Sequence, residues 1–358
     1  METEIEDYGV AGLFWEEFYA RHIEELKFVK YDIDVDDFRE FEGIDELTEF
    51  DSEFLSNVDS DIIDNICNTF NCRPSDVSGI EVINAGLTNV SFVFSLKGDK
   101  YVYRHPGGTS GNLINRETEV YVQRIAKEIG LDSSVIKISP HGWKISHYIS
   151  GVHNCNFEQS ERQLRTAMKY LTDMHSVKVD GNIKVFDNLE EGKRLIKIAS
   201  LTKGNLEREF SELIHKAEKL YEYIKKDAKR LGYPLVLCHN DMYECNFLED
   251  DDGKLYLIDW EYAGLNYAAN DVCGMPGRYE LDDEQTERYF EAYFGRELTA
   301  DEARFYNAFV PINSFYWFCW GLYKGSVGDG DGFFFLPSYR NAVRRMDRAI
   351  ESYERDMR

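Results

Sequence analysis

The polar residues between positions 239 and 259 have the types and spacing that phosphoryl transfer requires. His239, Asp241 and Asn246 follow one apolar run. Asp259 ends a second apolar run, which follows an acidic turn. Such runs predict two short strands joined by a loop, with the polar ends of both at one sheet edge. There, one carboxylate can accept a proton from a substrate hydroxyl while an amide oxygen and a second carboxylate hold Mg²⁺ on the phosphates.

The pattern His-x-Asp-x-x-x-x-Asn, followed by Ile258-Asp259, resembles the catalytic and metal-binding loops of protein-kinase-like phosphotransferases. The longer string Ile-Asp-Trp-Glu-Tyr-Ala-Gly is similar to that of the choline/ethanolamine kinase family. This resemblance covers most of the chain. It implies a two-lobed α+β fold of the protein-kinase type, with a small antiparallel β lobe and a larger, mainly helical lobe.

The resemblance implies a catalytic role for three of these residues. Asp241 would accept or orient the hydroxyl proton, and Asn246 and Asp259 would bind Mg²⁺. ATP and Mg²⁺ are therefore the implied cofactors. An inactive β-hairpin that merely carries polar residues is the alternative interpretation, and the joint spacing of the four residues argues against it.

Residues 80–104 predict antiparallel strands separated by turns. A glycine-containing hairpin loop can bring backbone amides close to phosphates. By resemblance, Gly86, Thr88 and Asn89 belong to an ATP-binding loop, and Arg104 contacts the phosphates. An exposed arginine at a strand end is the alternative for Arg104.

A helix is predicted over residues 113–129, and it contains a match to the family's Arg-x-x-Glu. By that match Glu119 contributes to cofactor binding through Arg104: it pairs with this arginine and orients it. Glu117 is the competing candidate, and an ordinary solvated glutamate is the alternative for either.

The string His147-Tyr148-Ile-Ser-Gly151 would connect the two lobes, where adenine packs, so Tyr148 is a predicted cofactor contact. The predicted parts of the chain are an acidic N-terminal extension (1–55), a small ATP-binding lobe (56–150) and a large catalytic and substrate-binding lobe (151–358).

Helical periodicity predicts further elements in the second half of the chain. His175, at the end of one of these helices, is interpreted as structural. Residues 305–323 are too interrupted by polar residues and proline for a membrane span and predict a buried helix. The predicted helices cover residues 158–175, 206–231, 281–294, 301 onward and 341–353.

The motif Trp317-x-x-Trp320 places two indole rings on one helix face. An aromatic stripe is usually part of a core. Here it resembles the choline-binding helix of choline kinases, where π-faces and carboxylates suit a trimethylammonium group that cannot donate a hydrogen bond. Tyr243 and Tyr339, together with Asp241, complete the acceptor contacts that we predict from the resemblance.

Asp271 matches a structural aspartate whose carboxylate caps backbone N–H groups and braces the catalytic loop. The family usually carries a glutamate seven residues further on, near the substrate amine. This chain has Arg278 there, and Glu280 follows two residues later. We predict that Glu280 contacts the substrate. It departs from the family pattern, because a shift of two residues changes the direction in which a side chain points.

The implied reaction is the transfer of the ATP γ-phosphate to choline, which yields phosphocholine and ADP. Ethanolamine is the nearest alternative acceptor, because a primary ammonium prefers carboxylate and carbonyl acceptors. An aminoglycoside-type phosphotransferase and a catalytically inactive choline-binding module are two further candidate functions.

Composition limits the remaining partners. The chain of 358 residues carries a formal charge of −25, which disfavours nucleic acid and anionic lipid. Its seven scattered cysteines, together with a start that lacks a signal-peptide pattern, predict free thiols in the cytoplasm. Residues 1–55 weakly resemble the tail of a nucleotidyltransferase domain, which would make the chain part of a larger bifunctional polypeptide. A simple lineage-specific extension is the alternative.

Overall fold

The computed structural model describes residues 61–83, 89–106, 114–181, 183–327 and 332–355. The predictions for the acidic extension, and those for Gly86 and Thr88, fall outside these ranges. Within them, no helix combines the length and the hydropathy that crossing a bilayer would require. All seven cysteines are free thiols.

The strands form one larger antiparallel sheet and two small ones. The larger sheet has the order β1-β2-β3-β5-β4. The bounds are Val77–Ile83 (β1), Asn89–Leu96 (β2), Asp99–Pro106 (β3), Val135–Ile138 (β4), Lys144–His147 (β5), His153–Asn154 (β6), Val236–Cys238 (β7), Phe247–Glu249 (β8), Leu255–Leu257 (β9) and Gly264–Asn266 (β10).

Helices make up most of the chain after β6. Short 3₁₀ turns at Glu244–Asn246 and Trp260–Tyr262 lie between the later strands. The helix bounds are Asp61–Phe70 (α1), Arg116–Glu128 (α2), Glu161–His175 (α3), Asn188–Lys203 (α4), Leu206–Glu209 (α5), Ser211–Leu231 (α6), Ala268–Val272 (α7), Gly274–Arg278 (α8), Asp283–Phe294 (α9), Ala300–Ser326 (α10) and Gly332–Arg355 (α11).

The five-stranded sheet buries one aromatic face against α1. Phe92 and Tyr103 are paired in register across β2 and β3, and their rings stack with centroids 5.2 Å apart. Phe94 and Ile66 are fully buried in the same cluster. Aromatic residues opposite one another stabilise an antiparallel pair, so this packing holds β3, which carries Arg104, in register.

The prediction that both apolar runs of the catalytic motif end at the edge of one sheet is wrong. The first apolar run forms β7, which pairs with β10 rather than with the second run. The second run forms β9, which pairs with β8, so that Phe247 lies opposite Leu257. A β8–β9 hairpin still brings Asn246 next to Ile258, because the Ile258 N–H donates to the Asn246 carbonyl at 2.9 Å.

The helices of the larger lobe differ from the predicted ones in two places. The helix predicted over 206–231 is interrupted at Phe210, which leaves helical geometry while its ring packs on Phe318. Helix α4 was not predicted. It contains Gly192, where a Cβ atom would lie 2.9 Å from the Phe315 ring, so the glycine permits close contact between α4 and α10.

A substitution of Leu171 on α3 tests how much the helical core contributes to the stability of the chain. Its side chain is fully buried in the main cluster, so Leu171→Ala should lower the free energy of unfolding by about 3 kcal/mol. Leu201 is 82% exposed, and Leu201→Ala should change the free energy of unfolding by less than about 0.5 kcal/mol. Urea denaturation of both variants checks this; equal effects would contradict the described packing.

Candidate active site

Asp271 positions the start of the catalytic loop through two consecutive backbone amides. The N–H groups of His239 and Asn240 donate to its two carboxylate oxygens at 2.8 and 2.7 Å. Asp271 is fully buried, and His175 Nε2 lies 3.1 Å from the same carboxylate. His175 Nδ1 in turn lies 2.8 Å from the Tyr293 hydroxyl. Asp271 therefore makes the backbone contacts predicted for it. His175 bonds side chains rather than backbone groups, and its structural role stays a prediction.

Asn240 adopts the left-handed conformation that turns the chain toward Asp241. Its φ is 66°, a region in which asparagine is tolerated better than most residues. Its side-chain amide donates to the Tyr262 carbonyl, and its oxygen accepts from Asn266 and Asn270. These buried bonds compensate for the backbone strain, so the direction of Asp241 is set by its neighbours.

The structure brings Asp241, Asn246 and the Asp259 loop together. The Asn246 amide donates to the Asp241 carboxylate at 3.1 Å and to its carbonyl at 2.9 Å. His239 Nε2 donates to the Ile258 carbonyl at 2.9 Å, one residue before Asp259. Asp241 and Asn246 are thus in contact, and the residue before Asp259 is bonded to the same loop. The catalytic roles of the three residues stay predictions.

The donor atoms in this group suit a hard divalent cation. The amide nitrogen of Asn246 faces Asp241, so its oxygen points to the other side. Asp259 contributes a carboxylate that is 32% exposed, and its φ of 65° turns it away from the strand direction. Oxygen ligands of this kind are those that Mg²⁺ prefers, so Asn246 and Asp259 fit the implied ion.

A buried ion-pair network, here called the Arg104 cluster (Arg104, Arg116, Glu119, Asp259 and Glu261), joins β3 and α2 to the Asp259 loop. Arg104 contacts Glu119 directly and lies 2.9 Å from Asp259. Arg116 lies 2.6 Å from Glu119 and 3.6 Å from Glu261. This network makes Arg104 a bridge between the sheet and the catalytic loop.

Electrostatics in the Arg104 cluster favour charged arginine. Burial opposes protonation, but the carboxylates of Glu119, Asp259 and Glu261 outweigh it and raise the pKa of Arg104. Burial, followed by the charge of Asp259, raises the pKa of Glu261 to about 7. Asn89, a predicted cofactor contact, donates to Glu261 at 3.0 Å. Direct contacts of Arg104 and Asn89 with phosphate stay predictions.

The two tryptophans lie on the side of α10 that faces the Trp260–Tyr262 turn. Trp317 and Trp320 are both 3% exposed, and their ring centroids are 5.6 Å apart. The Trp320 indole donates to the Tyr262 hydroxyl at 3.0 Å. Since Tyr262 follows Asp259 by three residues, the tryptophan pair lies close to the catalytic loop.

Arg278 is the site residue whose contacts sequence reasoning missed. Its Nη2 lies 2.9 Å from Asp241 Oδ1, and its guanidinium carbon lies 3.8 Å from the Trp317 ring centroid. It also stacks over Tyr243 at 4.8 Å, and its side chain is only 5% exposed. The predicted indole host of a substrate cation therefore already holds a cation that belongs to the protein.

The strength of these contacts makes Arg278 costly to displace. A desolvated cation–π contact contributes about 2 kcal/mol, and breaking a buried ion pair costs about 3–5 kcal/mol.

The sequence did carry a signal that this position is unusual, because Arg278 stands where the family usually has a carboxylate. That departure could not identify Asp241 and Trp317 as its partners, because both are distant in sequence.

Three other residues that we predicted to contact a ligand have neighbours within the protein that the sequence did not indicate. Glu280 has a φ of 52° and pairs with Arg340 at 3.0 Å. Tyr339 packs against the Phe210 and Phe318 rings. Tyr148 is 42% exposed beside Lys100. The ligand contacts of all three stay predictions.

Glu119→Gln tests the Arg104 cluster. The change leaves the buried Arg104 with one carboxylate fewer, so the free energy of unfolding should fall by about 3 kcal/mol. Glu117 is exposed two positions away, and Glu117→Gln should have almost no effect. Denaturant unfolding of the pair is the measurement, and an equal loss in both variants would refute the assigned pairing.

Comparisons with known proteins agree with this geometry. A model of the choline/ethanolamine kinase family matches residues 80–290. Protein LicA of Haemophilus influenzae is 27% identical over 286 residues, which cover 75% of this chain and 78% of that protein. Ethanolamine kinase 1 of Mus musculus is 26% identical over 288 residues, which cover 70% of this chain and 77% of that protein.

A solved structure shows the same fold. Choline kinase LicA of Streptococcus pneumoniae superposes with a TM-score of 0.61 at 21% sequence identity, covering 82% of this chain and 97% of that one. The family match spans more than half of the chain and contains the whole catalytic loop. The chain thus belongs to the choline/ethanolamine kinase family, with a protein-kinase-like fold, and is an ATP-dependent phosphotransferase that acts on an alcohol.

Proposed function

We propose that phosphoryl transfer takes place at Asp241, to the hydroxyl group of a small alcohol. The observation that carries this proposal is the position of Asp241. Its loop is braced by Asp271, and its carboxylate is oriented by the Asn246 amide at 3.1 Å. A carboxylate held in this way can accept the hydroxyl proton as the oxygen attacks the γ-phosphate.

Asn246 and Asp259 would hold Mg²⁺, which neutralises phosphate charge when it is bound. The Arg104 cluster supports this role, because the Arg104 guanidinium lies 2.9 Å from the Asp259 carboxylate and orients it. Arg104 thereby contacts one of the two predicted metal ligands. Positioning of the phosphates and of the hydroxyl accounts for most of the catalysis in this reaction class.

Choline is the acceptor that the family resemblance implies, and ethanolamine is its alternative. The names of the relatives include a choline kinase and an ethanolamine kinase. Both alcohols carry a hydroxyl two carbons away from a nitrogen, so both can present it to Asp241. The contacts of Arg278 with Asp241 and Trp317 bear directly on which acceptor fits.

Asp241→Asn tests the proposed base. The amide cannot accept the hydroxyl proton, so kcat for ADP release should fall by about 10²–10⁴-fold. Asp252 is exposed in the acidic turn, and Asp252→Asn should retain wild-type activity. Tm values measured in parallel separate lost catalysis from lost folding. If folded Asp241→Asn keeps wild-type kcat, the proposed base is wrong.

A panel of acceptors tests the type of alcohol. Coupled ADP release is measured with choline, ethanolamine, kanamycin and uncharged alcohols, and kcat/KM values are compared. Turnover of at least one small alcohol that depends on Asp241 is the expected result. Selective turnover of kanamycin would favour the aminoglycoside alternative. Choline binding without turnover of any compound would favour the inactive binding module.

A further inference from the structure

Arg278 places a positive charge where the acceptor must bind. A hydroxyl that transfers its proton to Asp241 has to lie within hydrogen-bond distance of that carboxylate. The Arg278 guanidinium is 2.9 Å from the same carboxylate. A hydroxyl bound at Asp241 therefore lies close to this guanidinium.

The same guanidinium occupies the face of Trp317. Its carbon lies 3.8 Å from the ring centroid, which is the position that an acceptor cation would take on this ring. Asp241 also has its charge compensated by Arg278. A trimethylammonium group would therefore meet a like charge at Trp317 and, at Asp241, a carboxylate already paired with Arg278.

Two other carboxylates discussed for this site are engaged by protein cations. Glu280 pairs with Arg340 at 3.0 Å, and Glu119 contacts both Arg104 and Arg116. These pairs reduce the attraction that the two carboxylates exert on an additional cation.

We propose that Arg278 sets the acceptor specificity of this site by its charge. The site selects a small alcohol without a positive charge and disfavours quaternary ammonium alcohols such as choline. This inference rests on the proposed phosphotransfer at Asp241, and it deepens that proposal by naming the class of acceptor. Arg278 acts here as a specificity-determining residue that occupies the indole face in place of a substrate cation.

A matched pair of acceptors tests the proposal. 3,3-Dimethylbutan-1-ol has the shape of choline, with carbon in place of the charged nitrogen. In the wild-type protein, kcat/KM for this neutral alcohol should exceed that for choline by about tenfold or more. Arg278→Gln should reduce this ratio, and Arg278→Glu should reverse it. Arg278→Lys, which retains the charge, should keep the preference for the neutral alcohol.

Arg288→Gln is the control variant. It removes the same charge from a partly exposed pair with Glu161 on α3, so the wild-type ratio of kcat/KM values should be retained. The use of a ratio cancels any general loss of activity that follows from disturbing Asp241. If no Arg278 variant folds, the wild-type ratio alone decides.

Binding measurements separate the two proposals. If no alcohol is phosphorylated, the proposed phosphotransfer fails, and calorimetric Kd values of the two alcohols still decide the inference. A wild-type preference for choline, equal binding of the two alcohols, or binding of neither overturns it. A ratio that is unchanged in Arg278→Glu also overturns it.

Discussion

The geometry of the site depends on one buried carboxylate. Asp271 accepts hydrogen bonds from two successive backbone amides, and these amides belong to the residues that immediately precede Asp241. A buried carboxylate is costly unless its oxygens are fully bonded. The backbone amides and His175 supply those bonds, so the stability of the charge and the conformation of the loop require each other.

Charge at the site is compensated pair by pair. Asp241 faces Arg278, and Asp259 faces Arg104. The formal charge of −25 therefore says little about the ligand. Residues 1–80 alone hold 23 acidic and 5 basic residues, a net of −18, and most of these lie outside the residues described. Local pairing, rather than total charge, determines which acceptor charge is tolerated.

Short-range pattern predicted which polar residues of the loop lie close together. Asp241 and Asn246 are five residues apart, so a single loop forces them together, and the pattern of the next strand placed Asp259 beside them. Long-range pairing could not be read in this way. Neither the β7–β10 ladder nor the approach of α4 to α10 at Gly192 leaves a periodic signal.

The same limit explains Arg278. Its type and position departed visibly from the family pattern, but its partners lie 37 and 39 residues away and come from a loop and a helix. Burial converts this arginine from a surface charge into a constituent of the site. Tyr339 matched the family pattern by sequence, but its neighbours Phe210 and Phe318 are likewise distant in sequence and were not indicated by it.

The most direct test of this account is a crystal structure with a non-hydrolysable ATP analogue and Mn²⁺, located by its anomalous signal. The account predicts Mn²⁺ at about 2.1–2.2 Å from Asn246 Oδ1 and an Asp259 carboxylate oxygen, with Asp241 facing the γ-phosphate. A nucleotide-bound Mn²⁺ that contacts neither residue, or an Asp241 carboxylate turned away from the γ-phosphate, would contradict it.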